Sequence, residues 1–147
     1  MVQLDEQCII LELTSIDKDD VLLELTEKIQ EIYPFVSSKG IQKILTEREQ
    51  LGSTGIGNGI AIPHGKVPGL EKLLLCFGRS TTGVAFEAVN NQPVHIIVLI
   101  LSPPNVAEEY LQILARVSRL LKDNATRKAL LQATSRKSIS DIFNQAE

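Results

Sequence analysis

Two apolar runs, KLLLCFGRS (Lys72–Ser80) and VHIIVLILS (Val94–Ser102), limit what this chain can fold into more than any other feature. Neither alternates polar with apolar residues, so neither suits a sheet with one wet face. Runs of this kind form central strands covered on both sides. The covers are legible too. Asp17 offers an N-cap to a helix with Val21, Leu22, Leu25, Ile29 and Ile32 at helical spacing, ending at Pro34. A second helix is predicted over Ile41–Leu51, with Ile41, Ile44, Leu45 and Arg48 along one side and Gly52 stopping it. After the second long run, Asn105 and Glu108 predict a helix start, with Leu111, Leu114 and Leu121 facing the core. Ala125–Ala133 reads as a short helix, and Ser138 with Asp141 as a capping box for the last one. CIILEL (Cys8–Leu13) and GIAI (Gly59–Ile62) complete the predicted strands. The expected fold is α/β, a mixed sheet with helices on both faces, in one domain over residues 1–147.

Composition narrows the partners. Hydrophobic residues make up 44% of the chain, with four Phe, two Tyr and no Trp, so Leu, Ile and Val must fill the core. A formal net charge of -3 with scattered basic residues argues against nucleic acid or a membrane surface held by bulk charge. Cys8 and Cys76 lie far apart in apolar runs without metal spacing, and are expected to be buried reduced thiols. Asp5 and Glu6 interrupt any apolar leader, and the longest apolar stretch, Ile96–Leu101, is far short of a bilayer span. A cytoplasmic protein is expected.

The stretch GSTGIGNGIAIPHGK, residues 52–66, holds five of the nine glycines and one of the two histidines. It is not a P-loop: Gly59 to Gly65 is one residue too long and Val67 replaces the metal-binding hydroxyl. It is not a dinucleotide fingerprint either, because Gly55, Gly57 and Gly59 give G-x-G-x-G after a helix. His64 and His95 lack partners at metal spacing, and no G-x-S-x-G elbow is present, so neither a metal nor a cofactor is expected. Two readings of His64 remain. It is either an ordinary loop residue, or a nucleophile whose second ring nitrogen is held by a hydrogen bond. For the second, Pro63 fixes the backbone and Gly65 leaves room around the ring. Gly55, Gly57 and Gly59 offer backbone amides, Ser53, Thr54 and Asn58 add short polar groups, and Lys66 adds charge. That set describes a place for a phosphoryl group. His95, inside the most apolar run, reads as a core or sheet-end residue with a backbone partner.

TEREQLGSTGIGNGIAIPHGKV (Thr46–Val67) resembles the active-site segment of phosphotransferase-system IIA proteins of the fructose/mannitol type (EIIA type 2), with the nitrogen-regulatory branch most similar. A looser match runs through FEAVNNQPVHIIVLILSPPNVAEEYLQILARVSRLLKD, so the resemblance spans about residues 40 to 123. It implies a mixed sheet between helices and a phosphoryl group accepted on His64 from a histidine-phosphocarrier protein. That group is then passed to a sugar-permease IIB domain or read as a regulatory signal. It also implies that Arg48 neutralises the phosphoryl charge, where the residues alone leave a solvated helix side chain equally open. Sugar-transporting members carry a second histidine at the start of the helix after the last long strand. Tyr110 stands there, and the nitrogen-branch histidine falls on Gln112. Tyr110 can donate a hydrogen bond to a phosphoryl oxygen but cannot carry a positive charge. The departure tilts the expectation towards a regulatory member, with a non-phosphorylated binding module as the alternative.

Overall fold

A computed structural model describes residues 2–87 and 91–145. Met1 and Ala146–Glu147 of the expected 1–147 domain, and residues 88–90 of the resembling segment, lie outside the described residues. The elements in chain order are β1 (Ile9–Ile10), α1 (Lys18–Ile32), α2 (Ser38–Gln50), β2 (Gly55–Gly57), β3 (Ile60–Ala61) and β4 (His64–Lys66). There follow β5 (Leu74–Val84), β6 (Val94–Ser102), α3 (Ala107–Lys122), α4 (Asn124–Gln132) and α5 (Arg136–Gln145).

The two apolar runs are the sheet's centre. β5 and β6 pair antiparallel from Leu74↔Leu101 to Arg79↔Ile96. Every β6 residue except His95 is buried, as expected of a strand covered twice. β1 adds parallel to β5, β3 adds parallel to β6, and β2 closes that edge antiparallel to β3. Farther along β6, β4 pairs parallel, His64 opposite Ile100 and Lys66 opposite Ser102. β3 and β4 therefore form one interrupted line beside β6, broken at Pro63, which has no N–H to donate. The Pro63 carbonyl still accepts the Ile100 N–H at 2.9 Å.

Alternate residues of β5 show the two covers. Cys76 faces α1, with Sγ 3.9 Å from the Leu25 carbonyl. Arg79, of opposite parity, donates to the α4 carbonyls of Leu130 at 2.8 Å and Ala133 at 2.6 Å, satisfying that helix end. The mixed sheet with helices on both faces is as expected. Both thiols are buried, and burial pushes Cys8 up to about 11 and Cys76 higher still.

Several local expectations need correction. The predicted strand Cys8–Leu13 is only Ile9–Ile10, because Cys8 ends a 3-10 turn capped by Asp5. The second helix starts three residues earlier, where the Ser37 side chain accepts the Gly40 N–H. Asn105 does not cap α3; Val106 occupies that position without a side-chain hydrogen bond. Leu121 is buried and Leu114 packs partly buried against the core as expected, but Leu111 is 66% exposed. At that turn Tyr110 lies inward instead, its ring against His64, and Ile113, Val117 and Leu120 complete the buried stripe. Ser138 and Asp141 do not form a capping box. Ser135 accepts the Ser138 N–H at 3.0 Å, and Asp141 pairs with Lys137 at 2.8 Å.

Gly65 also differs from its expected role. It does not give space to the imidazole; it sits against α2, and a Cβ there would lie 2.9 Å from Ile44 Cγ2. Gly65→Ala is expected to cost about 1–3 kcal/mol by overpacking. Ile44→Ala in the same chain should recover part of that loss. Urea unfolding of the two single variants and the double variant checks this, and strict additivity would refute the contact.

Candidate active site

His64 opens β4 immediately after the proline break, and the break determines its chemistry. The Ile62 N–H donates to the Thr54 carbonyl at 3.1 Å. Its carbonyl turns to the His64 ring, 2.8 Å from Nδ1. A carbonyl can only accept, so Nδ1 carries the proton and the neutral ring keeps a free lone pair on Nε2. The side chain is half-buried. One ring nitrogen is held and the other is available, as a nucleophilic imidazole requires.

One further predicted residue meets it, and a second lies near that one. Tyr110 lies in the first turn of α3, its ring edge-on to the imidazole with centroids 6.1 Å apart. Burial pushes the phenol up to about 12, and the nearby Arg48 guanidinium opposes the rise. Tyr110 is thus a neutral proton donor at pH 7. Arg48, on the last turn of α2, donates to the Gly52 carbonyl at 2.9 Å. His64 comes from β4, Tyr110 from α3 and Arg48 from α2, with the Arg48 charge near enough to act on the Tyr110 hydroxyl. Lys66 lies exposed two residues along β4, on the same face as His64.

The glycine run does not close round the imidazole as the sequence suggests. Asn58 and Gly59 are the two central residues of the β2–β3 hairpin, at φ 57° and 75°. An Asn-Gly pair with both φ values positive is the favoured two-residue hairpin turn. The Gly59 carbonyl accepts from His95 and Ile96 at the start of β6, whereas His64 pairs with Ile100. Four residues of strand separate them, about 13 Å. Gly57, Asn58 and Gly59 therefore lie at the far end of the sheet, beside His95, whose Nδ1 is 2.8 Å from the Ser80 carbonyl. Ser53 and Thr54 are nearer but engaged: Ser53 Oγ donates to the Phe86 carbonyl at 3.0 Å and accepts the Gly55 N–H at 3.1 Å. Thr54 is turned inward to Glu49. The run reads as a cradle in sequence because spacing alone does not distinguish a hairpin from a nest. The Asn-Gly pair followed by an apolar strand was the missed signal.

A segment with this histidine, this arginine and this sheet can now be compared with known proteins. The family model for the phosphoenolpyruvate-dependent sugar phosphotransferase system, EIIA 2, matches residues 2–146. The chain belongs to that family. Among relatives of this EIIA chain is a nitrogen regulatory protein of Bradyrhizobium diazoefficiens, 36% identical over 126 residues, covering 86% of this chain and 82% of the relative. The fructose-specific EIIABC component of Bacillus subtilis is 34% identical over 142 residues, which is 97% of this chain but 22% of that protein. In structure, the nitrogen regulatory protein IIA-Ntr from Neisseria meningitidis superposes with a TM-score of 0.88 at 29% identity, covering 95% of this chain and 94% of that one. IIA mannitol from Escherichia coli shares the fold, with a TM-score of 0.77 at 22% identity over 96% of this chain and 99% of that one. An EIIA domain is a phosphoryl carrier, a transferase component of the system. Among the described residues, no helix is long and apolar enough to cross a membrane, and no group of metal-ligating side chains is assembled.

Tyr110 gives this EIIA chain a pH signature. Its folded value of about 12 lies above the ordinary value near 10. The resulting stabilisation is complete below pH 10 and is lost as pH rises towards 12, because only the unfolded chain ionises readily in that window. Tyr110→Phe should flatten the fall in urea midpoint between pH 9.5 and 11 relative to the parent. An identical fall in both would refute the burial effect.

Proposed function

We propose that this chain accepts a phosphoryl group on Nε2 of His64 from a histidine-phosphocarrier protein and serves as a regulatory member of its family, acting in the cytoplasm. The proposal takes residues 1–147 as one EIIA unit. The observation that carries it is the Ile62 carbonyl held on Nδ1 at 2.8 Å, which leaves Nε2 as the free nitrogen, with Tyr110 beside the ring and the Arg48 charge near Tyr110.

The chemistry follows from that geometry. The Nε2 lone pair attacks phosphorus as the P–N bond to the donor's imidazole breaks, and that ring leaves with the bond's electron pair. His64 keeps its Nδ1 proton on the Ile62 carbonyl, so the ring becomes cationic under a dianionic phosphoryl group. Arg48 offers a planar fork for the equatorial oxygens, Tyr110 a hydroxyl donor, and Lys66 a further positive charge. Leu51, 85% exposed next to α2, and Leu111, 66% exposed next to Tyr110, supply apolar surface on which a protein donor can dock.

Support for a regulatory role comes from the likeness to nitrogen regulatory proteins over most of both chains, and from Tyr110 where sugar-transporting members have a second histidine. A solved relative at 19% identity is a complex of mannitol IIA with phosphorylated IIB from Escherichia coli. By family likeness a IIB domain is the second partner this reading offers. Tyr110 also favours a second reading, a docking module that has lost phosphoryl transfer. Phosphoenolpyruvate, enzyme I and a phosphocarrier should place one acid-labile phosphate on the parent chain and none on His64→Ala. Arg48→Ala should slow labelling by about 10²-fold, the scale of losing one positioned charge donor, with Arg48→Lys between. Equal labelling of His64→Ala and parent would remove the site. A parent that never labels yet captures a protein partner would favour the second reading.

A further inference from the structure

The buried carboxylate of Glu49 takes no part in the reading above, yet it stands one residue from Arg48. Its side chain is 4% exposed, and Lys18 Nζ lies 3.1 Å from Oε1. Lys18 itself, 13% exposed, reaches towards Glu87 at 4.0 Å and lies 4.9 Å above the Phe86 ring. The carboxylate's other contacts go to a single residue. Thr54 N–H donates to Oε1 at 3.0 Å and Thr54 Oγ1–H donates to Oε2. A carboxylate this deep must be fully paired to be tolerated, and here two of its three partners are the same threonine.

From Thr54 the hydrogen bonds continue to the site. The Thr54 carbonyl accepts the Ile62 N–H at 3.1 Å, and the Ile62 carbonyl accepts the His64 Nδ1 proton at 2.8 Å. Along this line the carbonyls of Gly59 and Pro63 face β6 and the backbone groups of Ile62 face away from it, so no ladder bond to β6 holds the Ile62 carbonyl in place. Its orientation depends on what grips residue 62 from the other side, and that grip is Thr54. Glu49 holds Thr54 at both N–H and hydroxyl, and α2 and Lys18 hold Glu49. The same helical turn carries Arg48, whose guanidinium is held separately by the Gly52 carbonyl, so the anchored carboxylate acts on the carbonyl that selects the imidazole proton.

We propose that Glu49 is a positioning residue for His64, acting through Thr54 and Ile62 to keep the ring in the form protonated at Nδ1. The consequence for transfer rests on the reading of His64 as phosphoryl acceptor, because only that form presents Nε2 as the nucleophile. The geometric part does not need that reading. Partners that orient a metal-bound imidazole govern affinity or activity by about 10–100-fold, and the low end of that scale is expected for this two-step relay.

The test is ¹⁵N NMR of the histidine rings in the parent and in Glu49→Gln, Thr54→Val and Thr54→Ser, alongside phosphoryl labelling rates. His95 serves as internal control, since its Nδ1 is held by Ser80 at the far end of the sheet. The parent is expected to show His64 almost wholly as the Nδ1–H form. Glu49→Gln and Thr54→Val should show a clear fraction protonated at Nε2 instead and label about 10-fold more slowly, while the His95 signals stay fixed. Thr54→Ser, which restores the hydroxyl, should return both readouts to the parent's values. A His64 ring that stays Nδ1–H in Glu49→Gln and Thr54→Val, whatever happens to thermal stability, overturns the inference and leaves Glu49 a structural staple. Tautomer shifts in a parent that never labels would leave the inference standing and overturn the phosphoryl reading alone.

Discussion

Everything in this molecule hangs on the antiparallel pair β5–β6. These are the two strands long and apolar enough to need protein on both faces, and they organise the rest by demanding it. α1 shields the Cys76 side of β5 and α4 ties to the Arg79 side. α2 comes close enough to β4 that a Cβ at position 65 would press on Ile44. Removing apolar surface from water at roughly 25 cal/mol per Å² supplies the driving force. The short strands β1 to β4 contribute little of their own and are stable because they lie along a centre already fixed.

The site exists because one of those short strands is defective. β3 and β4 follow the same edge of β6 but cannot be continuous, since Pro63 lacks an N–H. The Ile62 carbonyl, on the side of the line away from β6, is taken by the imidazole. Beyond the break, β4 pairs only with β6 among the described residues, and α2 packs against it. Tyr110 arrives from the opposite helical layer. A half-buried ring at such an edge is open to a docking protein yet held by its backbone, a combination that neither a buried core position nor a mobile loop tip provides.

The buried pair Lys18–Glu49 belongs to the same economy. Ion pairs in a protein interior rarely add much net stability, because desolvation offsets attraction. This one joins the start of α1, the end of α2 and the segment leading to β2, the three pieces whose relative placement sets the histidine's surroundings. Its value lies in registering those elements. The glycine-rich hairpin at residues 57–59, despite its composition, serves the strand pairing at the other end of the sheet.

The sequence alone determined the layers, the central strands, most helices and the candidacy of His64, because apolar periodicity, N-caps and a specific P-H-G segment are local signals. Arg48 was legible as a residue on the apolar side of its helix, and so in retrospect was Glu49, which continues Ile41 and Leu45 at four-residue spacing. Tertiary structure alone decided which stripe of α3 turns inward, how far the glycine hairpin lies from the imidazole, and which ring nitrogen is free. Those depend on how α3 packs against the sheet, on the register of β3 and β4 along β6, and on where the carbonyl before Pro63 points. Such quantities arise from packing between segments distant in the chain, and no local pattern encodes them.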